Sequence, residues 1–526
     1  MRILKHCCLL LLSLTCSSRF ALAQDAHTIL SQYAKAAGGS KALSQVRTLS
    51  LQGSLQPAGE GPGGTFTFET RQPNRSYLEV LSGDQRLIEA FNGKSAWRET
   101  RSGDPQTLLG PEAVALEAIA LVANTRLLDL KKNKLSVTYA GMAEVNGRAA
   151  AQLEVLTPAG ARLQEFFDAQ LHLPVRETAQ IGDVQQEMLF SDYRAEAGVQ
   201  VPHTIEFRRG PQTWRAVITQ ASVNGAVSER VFDFPRQSQV QLPNLKALFH
   251  EIDENQKAID KLKENYAGSR VEDQTEFDGS GKVKKRETSE YTFFYLLGHE
   301  VSTLVSKNGV ALTSEEQKKE SDRVQKRIQE IQDQQAKREA KEAKRQDEQQ
   351  KKGDSAKKEE DDDVGIEIFL RACQFVNPRR ERFRGQDVLV FDFEGNPDFQ
   401  PHKLAEKIVQ KLAGVIWIDE HAHDVARLEA HFTSDARIAG GLLVNLQRGS
   451  GFVFEQEFLN GEVWLPTYEE AHVGARILLL KGVAVTAVTR YSDYKRFHVE
   501  STSQVSAPKQ PQQAAPPRPP ARLPRR

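Results

Sequence analysis

Most of this chain alternates apolar and polar residues with a period of two. This pattern is typical of strands that bury one face and expose the other. It is clear in Thr48–Leu55 and in Thr65–Glu69. The turn-forming pairs Asn92-Gly93 and Asn146-Gly147 separate such runs and indicate hairpins. The pattern therefore predicts antiparallel sheets of many short strands.

Helical spacing of apolar residues occurs in few places. It predicts a helix over Ala26–Ala37 and a longer one over Pro111–Leu128. Further along, it predicts amphipathic helices over Leu245–Asn265 and Lys403–Leu412. Because strands dominate and helices are segregated, the predicted fold class is α+β.

A highly charged stretch, Ser314–Lys352, interrupts the second run of strands. Its short apolar edge of Val324, Ile328 and Ile331 predicts a solvated helix that fades into the low-complexity run Gly353–Asp363. A coiled coil is less favoured, because that apolar seam lasts only about two turns.

These patterns divide the chain into four parts. We predict a signal peptide over 1–23, a first domain over 24–236, a second domain over 245–501 with a charged helical insertion at 313–363, and a disordered tail rich in proline and arginine over 502–526.

The N-terminus has the three parts of a signal peptide. Arg2 and Lys5 supply positive charge, Cys8–Leu14 is a short apolar run, and Ala23 ends a small-residue cleavage site. Lipid anchoring at Cys16 is less favoured. We therefore expect an exported chain in a periplasm-like space.

Composition excludes some classes of protein. Hydrophobic residues make up 39% of the chain, and 70 basic residues balance 70 acidic ones, so nothing points to nucleic acid. Only Cys373 remains after the predicted cleavage, which leaves no intramolecular disulfide. Its apolar surroundings predict a buried, unreactive thiol.

Several phrases recur in the same sequence in both regions, which predicts a diverged internal duplication. Each pair consists of one phrase from the first region and its echo in the second: Asn146-Gly-Arg148 and Arg384-Gly-Gln386, Glu165-Phe-Phe-Asp168 and Ile416-Trp-Ile-Asp419, Val175-Arg-Glu177 and Val425-Ala-Arg-Leu-Glu429, and Gly198-Val-Gln-Val-Pro202 and Gly461-Glu-Val-Trp-Leu-Pro466. Ser191-Asp-Tyr193 and Ser492-Asp-Tyr494 also match, but in a different order relative to the proline.

Phrases of the first region resemble those of the LolA/LolB-like lipoprotein-carrier superfamily, in particular of exported proteins described as outer membrane lipoprotein-sorting proteins. They are Phe91-Asn-Gly-Lys-Ser-Ala-Trp97, Phe167-Asp168, Asp192-Tyr193-Arg194 and Gly198-Val-Gln-Val-Pro202. The resemblance implies two antiparallel open half-barrels with helices on the concave face and an apolar cavity for acyl chains. It assigns no ligand-binding residue here.

Candidate chemistry is sparse, and we predict no catalytic residue, cofactor or metal site. The most metal-like cluster is Asp419–Asp424, which contains His421 and His423. A polar turn between two apolar strands explains the same residues, and no distant ligand closes the cluster. A metal-dependent hydrolase is therefore only a weak alternative.

Aromatic residues on the predicted strands fill a core or line a cavity for a ligand. The cavity candidates are Phe66, Phe68, Phe91, Trp97, Trp417, Phe454 and Trp464. We expect a non-enzymatic carrier or sensor for a lipid, a lipoprotein or another acyl ligand. The alternative is an envelope interaction protein with self-filled barrels, which docks a partner protein through residues 313–363.

Overall fold

The computed structural model describes residues 25–57, 62–100, 105–235, 244–278, 283–352, 366–438, 444–447, 450–476 and 483–497. We call residues 25–235 the N-terminal half and residues 244–497 the C-terminal half. The predicted signal peptide with its cleavage site, the run Gly353–Asp363 and the tail over 502–526 lie outside the described residues.

Thirteen described strands form the sheet of the N-terminal half. They are β1 (Thr48–Pro57), β2 (Gly64–Arg71), β3 (Arg75–Ser82), β4 (Gln85–Phe91), β5 (Ala96–Thr100), β6 (Gln106–Thr107), β7 (Ser136–Val145), β8 (Arg148–Leu156), β9 (Arg162–Asp168), β10 (Pro174–Ile181), β11 (Val184–Glu196), β12 (Val199–Arg209) and β13 (Gln212–Val223). Their order is β6-β5-β4-β3-β2-β1-β13-β12-β11-β10-β9-β8-β7, so β1 joins β13 and the sheet stays open at β6 and β7.

The C-terminal half repeats this plan in its described residues. Its strands are β14 (Tyr266–Phe277), β15 (Val283–Leu296), β16 (His299–Lys307), β17 (Val310–Ala311), β18 (Cys373–Phe383), β19 (Gln386–Gly395), β20 (Leu412–Asp419), β21 (Asp424–Phe432), β22 (Ala436–Ile438), β23 (Val444–Leu446), β24 (Gly451–Leu459), β25 (Val463–Arg476) and β26 (Val483–Arg496). They run β17-β16-β15-β14-β26-β25-β24-β21-β20-β19-β18, and β22 and β23 form a side branch.

Helices cover one face of each sheet, which we call its inner face. The helices of the described residues are α1 (Ala26–Ala36), α2 (Ser40–Ser44), α3 (Gly110–Thr125), α4 (Leu130–Asn133), α5 (Leu245–Lys263), α6 (Ser314–Lys352), α7 (Ile366–Ala372) and α8 (Leu404–Val409), and Glu229–Val231 forms a 3-10 turn. In the N-terminal half, α1 and α3 share one buried core with the strands. In the C-terminal half, α5, α7 and α8 do the same.

These sheets confirm the predicted α+β class and its two open antiparallel sheets. Cys373 is buried and free, and burial raises the pKa of its thiol to about 12, in line with the predicted packing role. The domain boundaries at 24–236 and 245–501 stay predictions.

Two local features differ from what the sequence predicted. The sequence pattern predicted neither the helix α7 nor the strand β18 that follows it. The helix expected over Lys403–Leu412 ends at Val409, because Leu412 already begins β20.

The two halves meet at a polar junction around Arg379, which is fully buried on β18. Its Nη1 lies 3.0 Å from Oδ1 of Asp392, and its Nε donates to Oγ1 of Thr107 at 2.9 Å. Nδ2 of Asn92 donates to Oδ2 of Asp392 at 2.9 Å. The guanidinium of Arg379 also lies over the ring of Phe234, 4.7 Å from its centroid. The hydrogen bond from Asn92 to the buried Asp392 thus joins residues 300 positions apart in the chain.

Candidate functional site

A cavity of about 170 Å³ lies between the inner face of the N-terminal sheet and its helices. Its lining is mostly apolar and comes from α1, α2, α3, the linkers and seven strands. The lining residues are Tyr33, Ala37, Leu43, Val46, Leu49, Leu51, Phe66, Phe68, Ile119, Val122, Ala123, Arg126, Leu127, Glu165, Phe167, Leu173, Pro174, Glu177, Met188, Phe190, Tyr193, Val199, Gln200, Val201, Pro202, Ile205 and Val223.

The helix α3 forms one wall of the cavity. It is apolar nearly all round, as expected of a helix buried on more than one side. Ile119, Val122 and Ala123 face the cavity. Alanines at positions 115, 118 and 120 are buried and let the helix backbone approach the strands. The cavity therefore lies where a helix with small side chains packs across strands that carry large ones.

The size of the cavity limits what fits it in this conformation. An apolar cavity of roughly 150 Å³ holds a guest about the size of benzene. Sites for drug-sized ligands usually have about 300–1,000 Å³. At about 170 Å³, the space admits one end of an acyl chain, and a whole chain requires that α1 or α3 shift outward.

Two carboxyl groups interrupt the apolar wall. Glu165 on β9 and Glu177 on β10 are direct cross-strand partners. Their side chains are hydrogen-bonded to each other, and only 4% and 8% of these residues is exposed. Among the described residues, no N–H or hydroxyl group donates to Oε1 of either one. We call Glu165 and Glu177 the carboxyl pair.

Burial sets the acidity of the carboxyl pair. Desolvation raises the pKa of Glu177 to about 7. It raises the pKa of Glu165 well above the usual range, and the negative charge of Glu177 adds to that rise. The two groups therefore share a proton at neutral pH, as close carboxyls in an apolar site do.

Three other polar groups line the cavity near the pair. Burial raises the pKa of Tyr33 to about 12, and it raises that of Tyr193 well above the usual range. The Tyr193 hydroxyl donates to the carbonyl of Pro174 at 2.6 Å. Burial lowers the pKa of Arg126, whose Nη1 donates to the carbonyl of Asn124 at 2.9 Å. Both tyrosines thus stay neutral, and Arg126 brings a cation to the cavity.

Sequence reasoning did not select Glu165 and Glu177 as site residues. A signal was present, because Leu163, Glu165 and Phe167 alternate on β9 and must share one face. Leu163 and Phe167 belong to the core, so the carboxylate between them has to point inward. An acidic residue on the apolar face of an alternating strand was the sign to follow.

The predicted aromatic residues divide between the two faces of the sheets. Phe66 and Phe68 line the cavity. Phe91 lies in the same inner core but does not reach the cavity. Phe454 on β24 is only partly buried and is paired with Leu428.

The three tryptophans lie on the outer faces. Trp97 packs on Phe234, and its Nε1 donates to the carbonyl of Phe232 at 2.8 Å. Trp417 and Trp464 share a cluster that excludes the helix-side residues. Alternation in the sequence does not say which of the two apolar faces of a strand meets the helices.

The cluster around His421 and His423 forms a turn. Oδ1 of Asp419 accepts the backbone N–H groups of His421 and Ala422 at 2.8 and 3.0 Å. Oδ2 accepts Nε1 of Trp464 at 3.0 Å, and Nε2 of His423 lies 3.3 Å from Glu251. Within the described residues, no group of three or more metal-type side chains is found.

The same turn occurs in the N-terminal half. Oδ1 of Asp168 accepts the N–H groups of Gln170 and Leu171, both at 2.8 Å. The Asp168 and Asp419 turns end β9 and β20, which occupy corresponding places in the two sheets. This repeated geometry supports the predicted duplication. By contrast, the two Ser-Asp-Tyr phrases lie on β11 and β26, which do not correspond.

Several solved structures are similar to part of this chain. A DUF1329 family protein from Desulfovibrio piger is 11% identical, and the match covers 41% of this chain and 98% of that one with a TM-score of 0.28. An outer membrane lipoprotein-sorting protein domain from Vibrio parahaemolyticus is 10% identical, with 39% and 95% covered and a TM-score of 0.27. A LolA superfamily protein from Nitrosomonas europaea is 8% identical, with 40% and 98% covered and a TM-score of 0.27.

No protein-family model and no curated protein matches the sequence. In the described part of the chain, no helix is both long and apolar enough to cross a bilayer. With similarities this distant, a functional assignment depends on the cavity itself.

Proposed function

We propose that the N-terminal half binds an apolar ligand, such as the acyl chain of a lipid or lipoprotein, in the cavity beneath α3. The observation that carries this proposal is the apolar cavity on the inner face, lined by Phe66, Phe68 and Phe167. The role is that of a carrier or sensor and involves no catalysis. Burial of apolar surface supplies the affinity at about 25 cal/mol per Å².

The C-terminal half is proposed to be filled by its own side chains, as the alternative function supposes for both halves. Its inner core holds five phenylalanines from α5, α7 and strands β18 and β19: Phe249, Phe369, Phe375, Phe391 and Phe393. The Phe369 and Phe393 rings lie 4.8 Å apart, and those of Phe249 and Phe375 lie 5.2 Å apart. Such contacts occupy the space that an acyl chain needs.

Filling the cavity tests the proposal. In A123F, the new phenyl ring approximates the guest that a cavity of this size holds, so we expect binding of octanol to weaken at least tenfold. A195F adds the same ring at an exposed position on β11 and should bind as the wild type does. Isothermal titration calorimetry on the delipidated full chain measures both. Equal affinity in A123F and A195F, or no octanol binding by the wild type, would refute the proposal.

The proposed compartment is the periplasm, reached by cleavage of a signal peptide after Ala23. Support comes from the charged, apolar and small-residue parts of the N-terminus. N-terminal sequencing of the protein recovered from an osmotic-shock fraction should start at Gln24. A start at Met1 in the cytosolic fraction would contradict this assignment.

A further inference from the structure

We propose that the carboxyl pair selects the head group of the ligand: the cavity takes an apolar chain that ends in an N–H or O–H donor, such as an amine or a hydroxyl, in preference to one that ends in a carboxylate. This inference rests on the proposed function and specifies the ligand class of the same cavity.

The first support is the unsatisfied hydrogen-bonding capacity of the pair. No N–H or hydroxyl group of another residue donates to Oε1 of Glu165 or to Oε1 of Glu177 in the described part of the chain, although both side chains are more than nine-tenths buried. Buried oxygen atoms are rarely left without a donor, because each such atom loses its hydration without compensation. A donor on the ligand restores that loss, and the pair is part of the cavity wall that the ligand touches.

The second support is the sign of the charge. Two carboxyls that share one proton carry a net negative charge in an apolar wall. That charge attracts an ammonium or a hydroxyl and repels a carboxylate. Arg126 also lines the cavity, but among the described residues no ion pair joins it to Glu165 or Glu177. The acceptor oxygen atoms therefore remain available to the ligand.

The third support comes from the other half of the chain. Counting back from the matching turns at Asp168 and Asp419, Ile416 on β20 takes the place of Glu165. Its cross-strand partner on β21 is Leu428, in the place of Glu177. Ile416 is buried in the phenylalanine-rich inner core, and Leu428 packs against it. A helix-covered sheet of this kind thus accommodates an aliphatic pair at these positions, and the glutamates are not needed to build it.

A head-group series tests the inference. The probes are octylamine, octanol, methyl octanoate and octanoate, which share the chain and differ at the head. With the wild type at neutral pH, we expect the amine and the alcohol to bind at least tenfold more tightly than methyl octanoate, and octanoate to bind most weakly. In E165I/E177L, which copies the aliphatic pair, we expect this order to disappear while methyl octanoate still binds.

Two further variants keep the test decisive. E165Q retains the shape of the side chain and should lose most of the preference for the amine even if the double variant fails to fold. E144Q removes an exposed carboxylate from β7 and should change nothing. If all four probes bind the wild type equally, the inference fails and the proposed apolar site stands. If none binds, both fail.

Discussion

At the scale of single residues, the carboxyl pair determines how the N-terminal half responds to pH. The groups that face it are Tyr33 from α1, Arg126 after α3 and Tyr193 from β11. Burial raises the pKa of Glu177 from an ordinary value of 4.5 to about 7. A group whose pKa is raised by folding binds more protons in the native state, so its contribution to stability is complete at low pH and disappears as pH rises through the folded pKa.

We therefore expect the free energy of unfolding to fall as pH rises from about 4.5 to about 7, the window between the ordinary and folded pKa of Glu177. The slope should reach about 1.4 kcal/mol per pH unit for one proton. Urea unfolding monitored by circular dichroism across this range measures it. E177Q should flatten the slope, and E144Q should leave it unchanged. A wild-type curve that is flat or rises over the window would contradict the assignment.

At the scale of elements, the charged helix α6 protects the edge of the C-terminal sheet. Oε1 of Glu320 accepts the backbone N–H of Leu304 on β16 at 2.7 Å. Nη2 of Arg323 donates to the carbonyl of Ser302 at 2.6 Å. These bonds satisfy edge groups that would otherwise be open to another strand. The predicted apolar edge faces away from solvent, with Ile331 buried and Val324 and Ile328 half-buried.

We expect E320A to open this edge, because it removes the acceptor of the Leu304 amide. Hydrogen exchange at Leu304, followed by mass spectrometry, should then be at least tenfold faster. The matched variant is E315A on the same helix, which removes only the exposed pair between Glu315 and Lys319. If the Leu304 amide exchanges equally in both variants, α6 does not protect the edge.

At the scale of the whole molecule, the junction around Arg379 links the two halves. Arg379 and Asp392 are both fully buried, so neither charge is solvated by water. Removing one partner of a buried ion pair leaves the other charge uncompensated, which typically costs about 3–5 kcal/mol. An exposed ion pair contributes less than about 1 kcal/mol.

R379M should therefore destabilise the protein by about 3–5 kcal/mol. The control R382M lies on the same strand and removes an exposed pair with Asp387 at 3.4 Å. It should change stability by less than about 1 kcal/mol. Guanidinium unfolding of the full chain compares the two variants. Losses of equal size would show that the buried junction stabilises the protein no more than an exposed ion pair does.

Much of the local structure was predictable, because the spacing of apolar residues and the residue types that favour turns act over short distances along the chain. Alternation gave the strands, and the pairs Asn92-Gly93 and Asn146-Gly147 gave their turns. The charged helix was predicted at Ser314–Lys352, which are its bounds in the structure. The β18 strand was not predicted, because it carries several arginines, and its buried Arg379 contacts Thr107 in the other half of the chain.

The sequence by itself determined the α+β class, the antiparallel strands and the repeated turns, since each depends on neighbours within a few positions. The open sheets were expected only from the resemblance to a known superfamily. Only the tertiary structure decided which apolar face of each sheet the helices cover. That choice placed Phe66 at the cavity and Trp97 outside it. It also brought Glu165 and Glu177 together, and it buried Arg379 against residues far away in the chain. Long-range packing determines burial, and burial gives an ordinary carboxyl group or guanidinium its unusual properties.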